Sequence, residues 1–282
     1  MVTSYKTPLE PVKILPSNQF LTVTIMSTQE PEYQLIGLHT RYSSWTSRVE
    51  AVLEYFQIPY KPLFVKLPDV KAVSPTGFVP VLECRSLEST PIGDSLAICE
   101  FLAESHPELP LWPRDRQLRA LARSAASQMH SGFPVLRGTF STNFIAKYTG
   151  NIPVPAEARK EVQRMLALWG DSRKATKERL LELGEIDEGF LFGGFSIADA
   201  FFWPVLWRFR TYDLPLDTAS EDALVWMAQM WNDTIFRGLA DKYYDQAEDP
   251  DSVIAHYDDI YKGQADIHYG QFPREWTFTA PR

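Results

Sequence analysis

Ser74-Pro75-Thr76-Gly77-Phe78-Val79-Pro80-Val81-Leu82, followed by Gly93-Asp94-Ser95-Leu96-Ala97-Ile98, is the stretch that decides the fold of this chain. Pro80 opens a strand, a position that tolerates proline, and an X-Pro bond in a tight turn can be cis. A cis Val79-Pro80 bond leaves the backbone of Val79 free to pair with an extended peptide ligand; an ordinary edge-strand turn is the plainer alternative. Asp94 stands as N-cap of an apolar-periodic helix from Ser95 to about Glu104. Unsatisfied N–H groups and the positive end of a helix favour an anion there. Asp94 and Ser95 therefore suit an α-amino-acid group, Asp94 for the ammonium and Ser95 with its N–H for the carboxylate, and would serve equally as a simple cap.

Upstream, Tyr33 to His39 reads as a strand, and Val49, Val52, Leu53 and Phe56 put one apolar face on a helix from Ser44 to Gln57. Ser43 and Ser44 sit at its N-terminus, where a hydroxyl beside the helix end can donate to a thiolate or simply cap the helix. Tyr60 to Leu67, Val79 to Cys84 and Thr90 to Ile92 read as further strands, making a compact α/β unit. Three prolines, Pro107, Pro110 and Pro113, break any helix after it. The remainder is helical in pattern: Leu118 to about Phe144 with a kink near Gly132-Phe133-Pro134, Pro155 to Leu183, Ser196 to Tyr212, Glu221 to Trp231 and Ile235 to Gln246. The resulting division is an N-terminal extension over 1–32, an α/β domain over 33–106, a linker over 107–115, an all-helical domain over 116–246 and a tail over 247–282. Met26, the last residue of the short apolar stretch Phe20–Met26, reads as a second candidate start.

The 282 residues carry 28 Lys+Arg against 36 Asp+Glu, a net charge of −8, with 45% hydrophobic and 23% charged residues. That composition excludes bulk disorder. The acidic balance argues against nucleic acid or an anionic membrane as partner. Cys84 and Cys99 have no metal-ligand or CxxC spacing, so the expectation is no metal, no disulfide and a reducing, cytoplasmic setting, with Cys99 a small buried residue. No apolar run approaches a membrane span or a secretory signal.

The stretch from about Leu35 to Leu111 resembles the thioredoxin-like N-terminal domain of glutathione transferases, and Gly194-Phe195-Ser196-Ile197-Ala198-Asp199 is similar to that family's capping box in its central helix. The fold class implied is an α/β N-terminal thioredoxin-like domain plus an all-α C-terminal helical bundle. Ser43-Ser44-Trp45-Thr46-Ser47-Arg48-Val49 resembles the zeta-type Ser-Ser-Cys-x-x-Arg-Val, with Trp45 in place of cysteine. It resembles still more a bacterial Tyr-Ser-Ser-Trp-Ser group, which shares the run Met129-His130-Ser131-Gly132-Phe133-Pro134-Val135-Leu136-Arg137. The missing cysteine argues against a thiol-mediated mechanism.

By this resemblance glutathione is the cosubstrate, and Ser43, or else Ser44, hydrogen-bonds its sulfur, with Tyr42 as a rival. Val79 and the cis-proline Pro80 hold the cysteinyl backbone, Asp94 and Ser95 the γ-glutamyl end, and Lys66 the glycine carboxylate. His130, Phe133 and Arg137, with Phe140 and Phe144, fall on the first helix of the helical domain, which lines the electrophile pocket in the family. Arg48 reads first as a structural salt-bridge partner. The implied activity is transfer of glutathione to a small electrophile. Alternatives are a glutathione-dependent isomerase like the zeta class and a non-catalytic glutathione-transferase-like binding protein. A homodimer is the implied assembly.

Overall fold

The computed structural model describes residues 30–280. The expected N-terminal extension lies outside the described residues as far as residue 29, and with it the Phe20–Met26 stretch.

The N-terminal sheet has the order β2-β1-β3-β4. Its strands are β1 (Tyr33–Gly37), β2 (Tyr60–Phe64), β3 (Val81–Cys84) and β4 (Thr90–Gly93). β1 runs parallel to β2 and antiparallel to β3, with Leu35 opposite Leu82 and Ile36 opposite Val81. A parallel pair needs a crossover, and α1 (Ser44–Tyr55) supplies it between β1 and β2. A four-residue helix, α2 (Val70–Val73), precedes β3, and α3 (Ser95–Ser105) follows β4. Val49, Val52 and Leu53 of α1 and Ile98, Cys99 and Leu102 of α3 are fully buried, which accounts for the apolar spacing along both helices. Burial pushes the Cys99 thiol up, so it stays protonated and acts as a small apolar residue. Both cysteines are free.

After an irregular proline-rich passage come α4 (Arg116–Ser131), α5 (Pro134–Thr139), β5 (Ala146–Gly150), α6 (Ala156–Leu183) and α7 (Ile197–Thr211). α8 (Glu221–Asn232), α9 (Thr234–Glu248), α10 (Ala255–Asp258) and β6 (Ile267–Gln271) complete the order. α7 is the central helix: all its residues but Arg210 are buried, and it packs against α1 and α4. Its start carries the capping box, Ser196 N–H donating to Asp199 Oδ2 at 3.0 Å. Asp199 also accepts from Leu191 N (2.8 Å) and Trp226 Nε1 (3.0 Å), so one carboxylate ties three segments together.

Two expectations differ from the observed fold. The helix over Leu118–Phe144 is not continuous: α4 stops at Ser131, Phe133 takes a left-handed φ of 54°, and Pro134 starts a separate short helix. Proline lacks the N–H that an uninterrupted helix would need there and is well suited to a first turn. The tail also has more structure than its weak periodicity implies. β6 pairs antiparallel with β5, placing Tyr148 opposite Tyr269. Gly150 permits that close approach: it holds φ 105°, and a Cβ there would lie 2.1 Å from the Asp266 carbonyl oxygen. No helix among the described residues is long and apolar enough to cross a membrane. No cluster of His, Cys, Asp or Glu among them is placed to hold a metal ion.

Candidate functional site

A cavity of about 460 Å³ opens where the β3 end of the sheet meets α4. It is lined by Trp45, Thr76, Phe78, Val79, Pro80, Asp94, Ser95 and His130. The sequence-predicted residues Val79, Pro80, Asp94, Ser95 and His130 thus come together, although they span 51 positions of chain between Val79 and His130.

The loop before β3 is pinned from within. Ser74 Oγ donates to the Phe78 carbonyl (2.6 Å), and Thr76 Oγ1 accepts from Phe78 N–H (3.3 Å). The Val79-Pro80 bond is cis, and the Val79 N–H makes no hydrogen bond to another described residue. Phe78 is 77% exposed at the cavity edge, far more than a large aromatic side chain usually is.

Asp94 is the N-cap of α3, and its two oxygens have separate partners. Oδ1 accepts from Leu96 N (2.8 Å) and Ala97 N (3.1 Å), while Oδ2 lies 3.1 Å from His130 Nε2 at the end of α4. Beside it the Ser95 hydroxyl is buried with no partner, and so is His130 Nδ1. A buried polar atom without a protein partner is costly, so both atoms are open to hydrogen bonds from outside the described residues.

Trp45 forms the opposite wall. His130 meets its ring edge-on at 5.5 Å, and the guanidinium carbons of Arg48 and Arg137 lie 4.1 and 5.1 Å from its centre. Arg48 has no carboxylate partner among the described residues, contrary to its expected salt-bridge role. Its Nε donates to the Phe201 carbonyl (3.0 Å) and the rest of its guanidinium is buried without a hydrogen bond. Burial, with Arg208 and Arg137 nearby, holds its pKa well below the usual arginine value. Burial also lowers that of Arg137, partly offset by Glu161.

The serines lie behind this wall, and neither lines the cavity. Ser43 is the N-cap of α1: its Oγ accepts from Thr46 N–H (3.3 Å) and lies 2.8 Å from Thr46 Oγ1. The Ser44 hydroxyl makes no hydrogen bond to a described residue, and Ser44 is 7% exposed. Gly37 sits against this cap, where a Cβ would meet the Thr46 side chain at 2.4 Å. Tyr42 turns away into the tail: its hydroxyl donates to Asp258 Oδ1 at 2.6 Å, and burial together with that carboxylate pushes its pKa up. A phenol so held is a poor source of activation for a thiol.

Several other candidates are elsewhere. Lys66 is exposed beyond β2 and lines no part of the cavity. Phe133, Phe140 and Phe144 are fully buried core residues; Phe144 packs against Trp207 and Tyr243, so these rings do not form an open electrophile pocket. Arg137 belongs to α5 and His130 to α4, so they do not share one helix as the unbroken periodicity implied. Trp45, Thr76 and Phe78 line the cavity although the sequence assigned none of them a binding role; Thr76 and Phe78 lie just before the decisive Val79-Pro80 pair.

Residues 42–105 match the model of the glutathione S-transferase N-terminal domain, and residues 153–258 match that of the glutathione S-transferase C-terminal domain. The chain belongs to the glutathione S-transferase family. Among curated members, pyrimidodiazepine synthase of Drosophila melanogaster is 37% identical over 91 residues, 30% of this chain and 37% of that protein. Maleylacetoacetate isomerase of Dictyostelium discoideum is 32% identical over 123 residues, 39% of this chain and 55% of that protein. The matched stretch therefore spans about half, or less, of these relatives' lengths. The solved structure of Ure2p in complex with glutathione superposes with a TM-score of 0.56 at 18% identity, covering 74% of this chain and 98% of that one. At that identity the likeness is one of fold.

Proposed function

We propose that this glutathione-transferase-family chain binds glutathione in the cavity at Val79, Asp94 and Ser95 and activates its thiol for attack on a small electrophile. The observation that supports the reading is the set of groups around one cavity: the unpaired Val79 N–H, the buried unpartnered Ser95 hydroxyl and the Asp94 Oδ2 that faces His130. A peptide with an α-amino-acid end offers the complements: a backbone to pair with Val79, a carboxylate for Ser95 and an ammonium for Asp94.

Activation is assigned to Ser43. Its oxygen accepts from Thr46 N–H, and when Thr46 Oγ1 is the donor of the hydroxyl pair, Ser43 keeps its own proton for a thiolate at the helix N-terminus. Ser44, with an uncommitted hydroxyl, is the rival. Bringing a thiolate and an electrophile together supplies proximity, and the lowered thiol pKa supplies the nucleophile. Glutathione is consumed in the transfer, and the reading calls on no metal. An isologous homodimer and a cytoplasmic setting belong to the same reading.

A glutathione-dependent isomerase is the second reading, favoured by the likeness to maleylacetoacetate isomerase and by the two arginines, Arg48 and Arg137, against Trp45. Such cations suit an acidic substrate or its enolate. The Ser43→Ala and Ser44→Ala variants, titrated through the ultraviolet absorbance of bound thiolate, test the activation: an upward shift of the thiol pKa in Ser43→Ala is expected, and no shift in either variant rules out a serine. Net loss of glutathione during turnover excludes a pure isomerase.

A further inference from the structure

A second cavity, of about 580 Å³, is larger than the one at Val79. It lies at the far end of α7, over β5 and beneath the tail, with Trp231, Phe272, Trp276 and Phe278 among its walls and Arg210 and Lys147 as its cations. β5 and the tail residues 272–279 fall outside both stretches that match the family's domains.

Arg210 is the unusual group. Its guanidinium carbon lies 4.7 Å from the ring centres of Trp231 and Phe272, 5.0 Å from Trp276 and 4.3 Å from Phe144. One Nη donates to the Phe144 carbonyl, while Nε is buried with no partner, and no carboxylate pairs with the side chain among the described residues. Burial pushes its pKa down to about 9, with Tyr244 offsetting part of the effect. Arg210 is half-buried with its Nε out of reach of solvent, and a cation partly withdrawn from water normally has a counter-ion, because unpaired charge there is expensive. Here rings surround the cation and open space adjoins it.

We propose that this cavity is a second ligand site, which takes a planar aromatic anion such as an aryl carboxylate. Trp231 and Phe272 both stand edge-on to Trp276, so the ring stacks on one face of this set and meets the others edge-on, while the carboxylate pairs with Arg210 and Lys147 adds attraction. Asp213, also in the lining, disfavours a second negative charge on the ligand. The volume is that of an ordinary small-molecule pocket. The site stands apart from the glutathione reading and does not depend on it.

Calorimetric titration of the full chain with 2-naphthoate and with neutral 2-naphthamide tests the proposal. The acid is expected to bind at least ~10-fold tighter than the amide. Trp276→Ala and Phe278→Ala, both partly exposed, are expected to weaken the acid at least ~5-fold, and Arg210→Gln to abolish the preference for the acid. Phe78→Ala, in the other cavity, is expected to change nothing. If Arg210→Gln does not fold, the two tail variants still decide the matter. The proposal is overturned by absence of binding at millimolar acid, by equal affinity for acid and amide, or by loss with Phe78→Ala in place of the tail variants.

Discussion

His130 Nε2 stands 3.1 Å from Asp94 Oδ2, joining the end of α4 to the N-cap of α3 across the candidate site. The two oxygens of Asp94 thus have separate partners: Oδ1 holds the helix start and Oδ2 faces His130. A ligand ammonium at Asp94 shares that second oxygen with His130.

Asp94→Asn keeps an oxygen acceptor for the cap, and Asn caps as well as Asp. Thermal stability is expected to change by less than ~0.5 kcal/mol, while glutathione affinity falls at least ~10-fold through loss of a charge-assisted contact. Calorimetry and thermal denaturation on the same samples separate the two. Equal affinity would remove Asp94 from the ligand site.

Tyr42→Phe deletes the hydrogen bond to Asp258 and leaves the ring packed. A hydrogen bond to a charged, partly buried acceptor is worth about 1.5–3 kcal/mol, so unfolding by urea should move by roughly that much. The pKa of bound thiol should not move, because this phenol serves the tail. A rise in that pKa would return Tyr42 to the active site.

Glu50, on α1, is 3% exposed; burial raises its pKa to about 7 from 4.5, only partly countered by Thr40. A carboxyl raised in the folded state binds its proton more tightly there than in the unfolded chain. Its stabilising effect is therefore complete below about 4.5 and is lost as pH rises to about 7. Glu50→Gln copies the protonated form, so it should stabilise at pH 8 by up to roughly 3 kcal/mol and have little effect at pH 5. Thermal melts at the two pH values check this; an equal gain at both would contradict it.

Gly37→Ala would drive a Cβ to 2.4 Å from Thr46 Cγ2 and 2.5 Å from Thr46 Oγ1. Overpacking of this kind costs about 1–3 kcal/mol. Thr46 must move, and Ser43, which it holds, moves with it, so the variant should both lose stability and raise the bound thiol pKa. A stability loss with an unchanged thiol would detach Thr46 from the activation.

The α/β domain is legible in the sequence because its signals are local. Ser43 and Asp94 cap helices where a hydroxyl or carboxylate precedes an apolar-periodic run, as Ser196 does in the helical domain, and Pro80 directly precedes a strand. The break after Ser131 is less so: apolar residues continue through Phe140 and Phe144, but they serve the core from a turn and a loop, and only the left-handed Phe133 before Pro134 ends the helix. Contacts made by distant segments leave no trace in spacing. Tyr42 with Asp258, Arg41 with Ser252 and β5 with β6 are each set by tertiary packing, which periodicity does not encode. The same holds at the site, where Trp45 reaches the wall and Lys66 does not, as the side-chain directions of two elements decide.

Glutathione binding is the claim on which the account turns, and calorimetric titration of the full wild-type chain with glutathione measures it most directly. Saturable one-to-one binding is expected at or below millimolar concentration, weakened at least ~10-fold by Asp94→Asn and unaffected by Trp276→Ala. No heat of binding at ten millimolar glutathione, or binding that Asp94→Asn leaves intact, would contradict it.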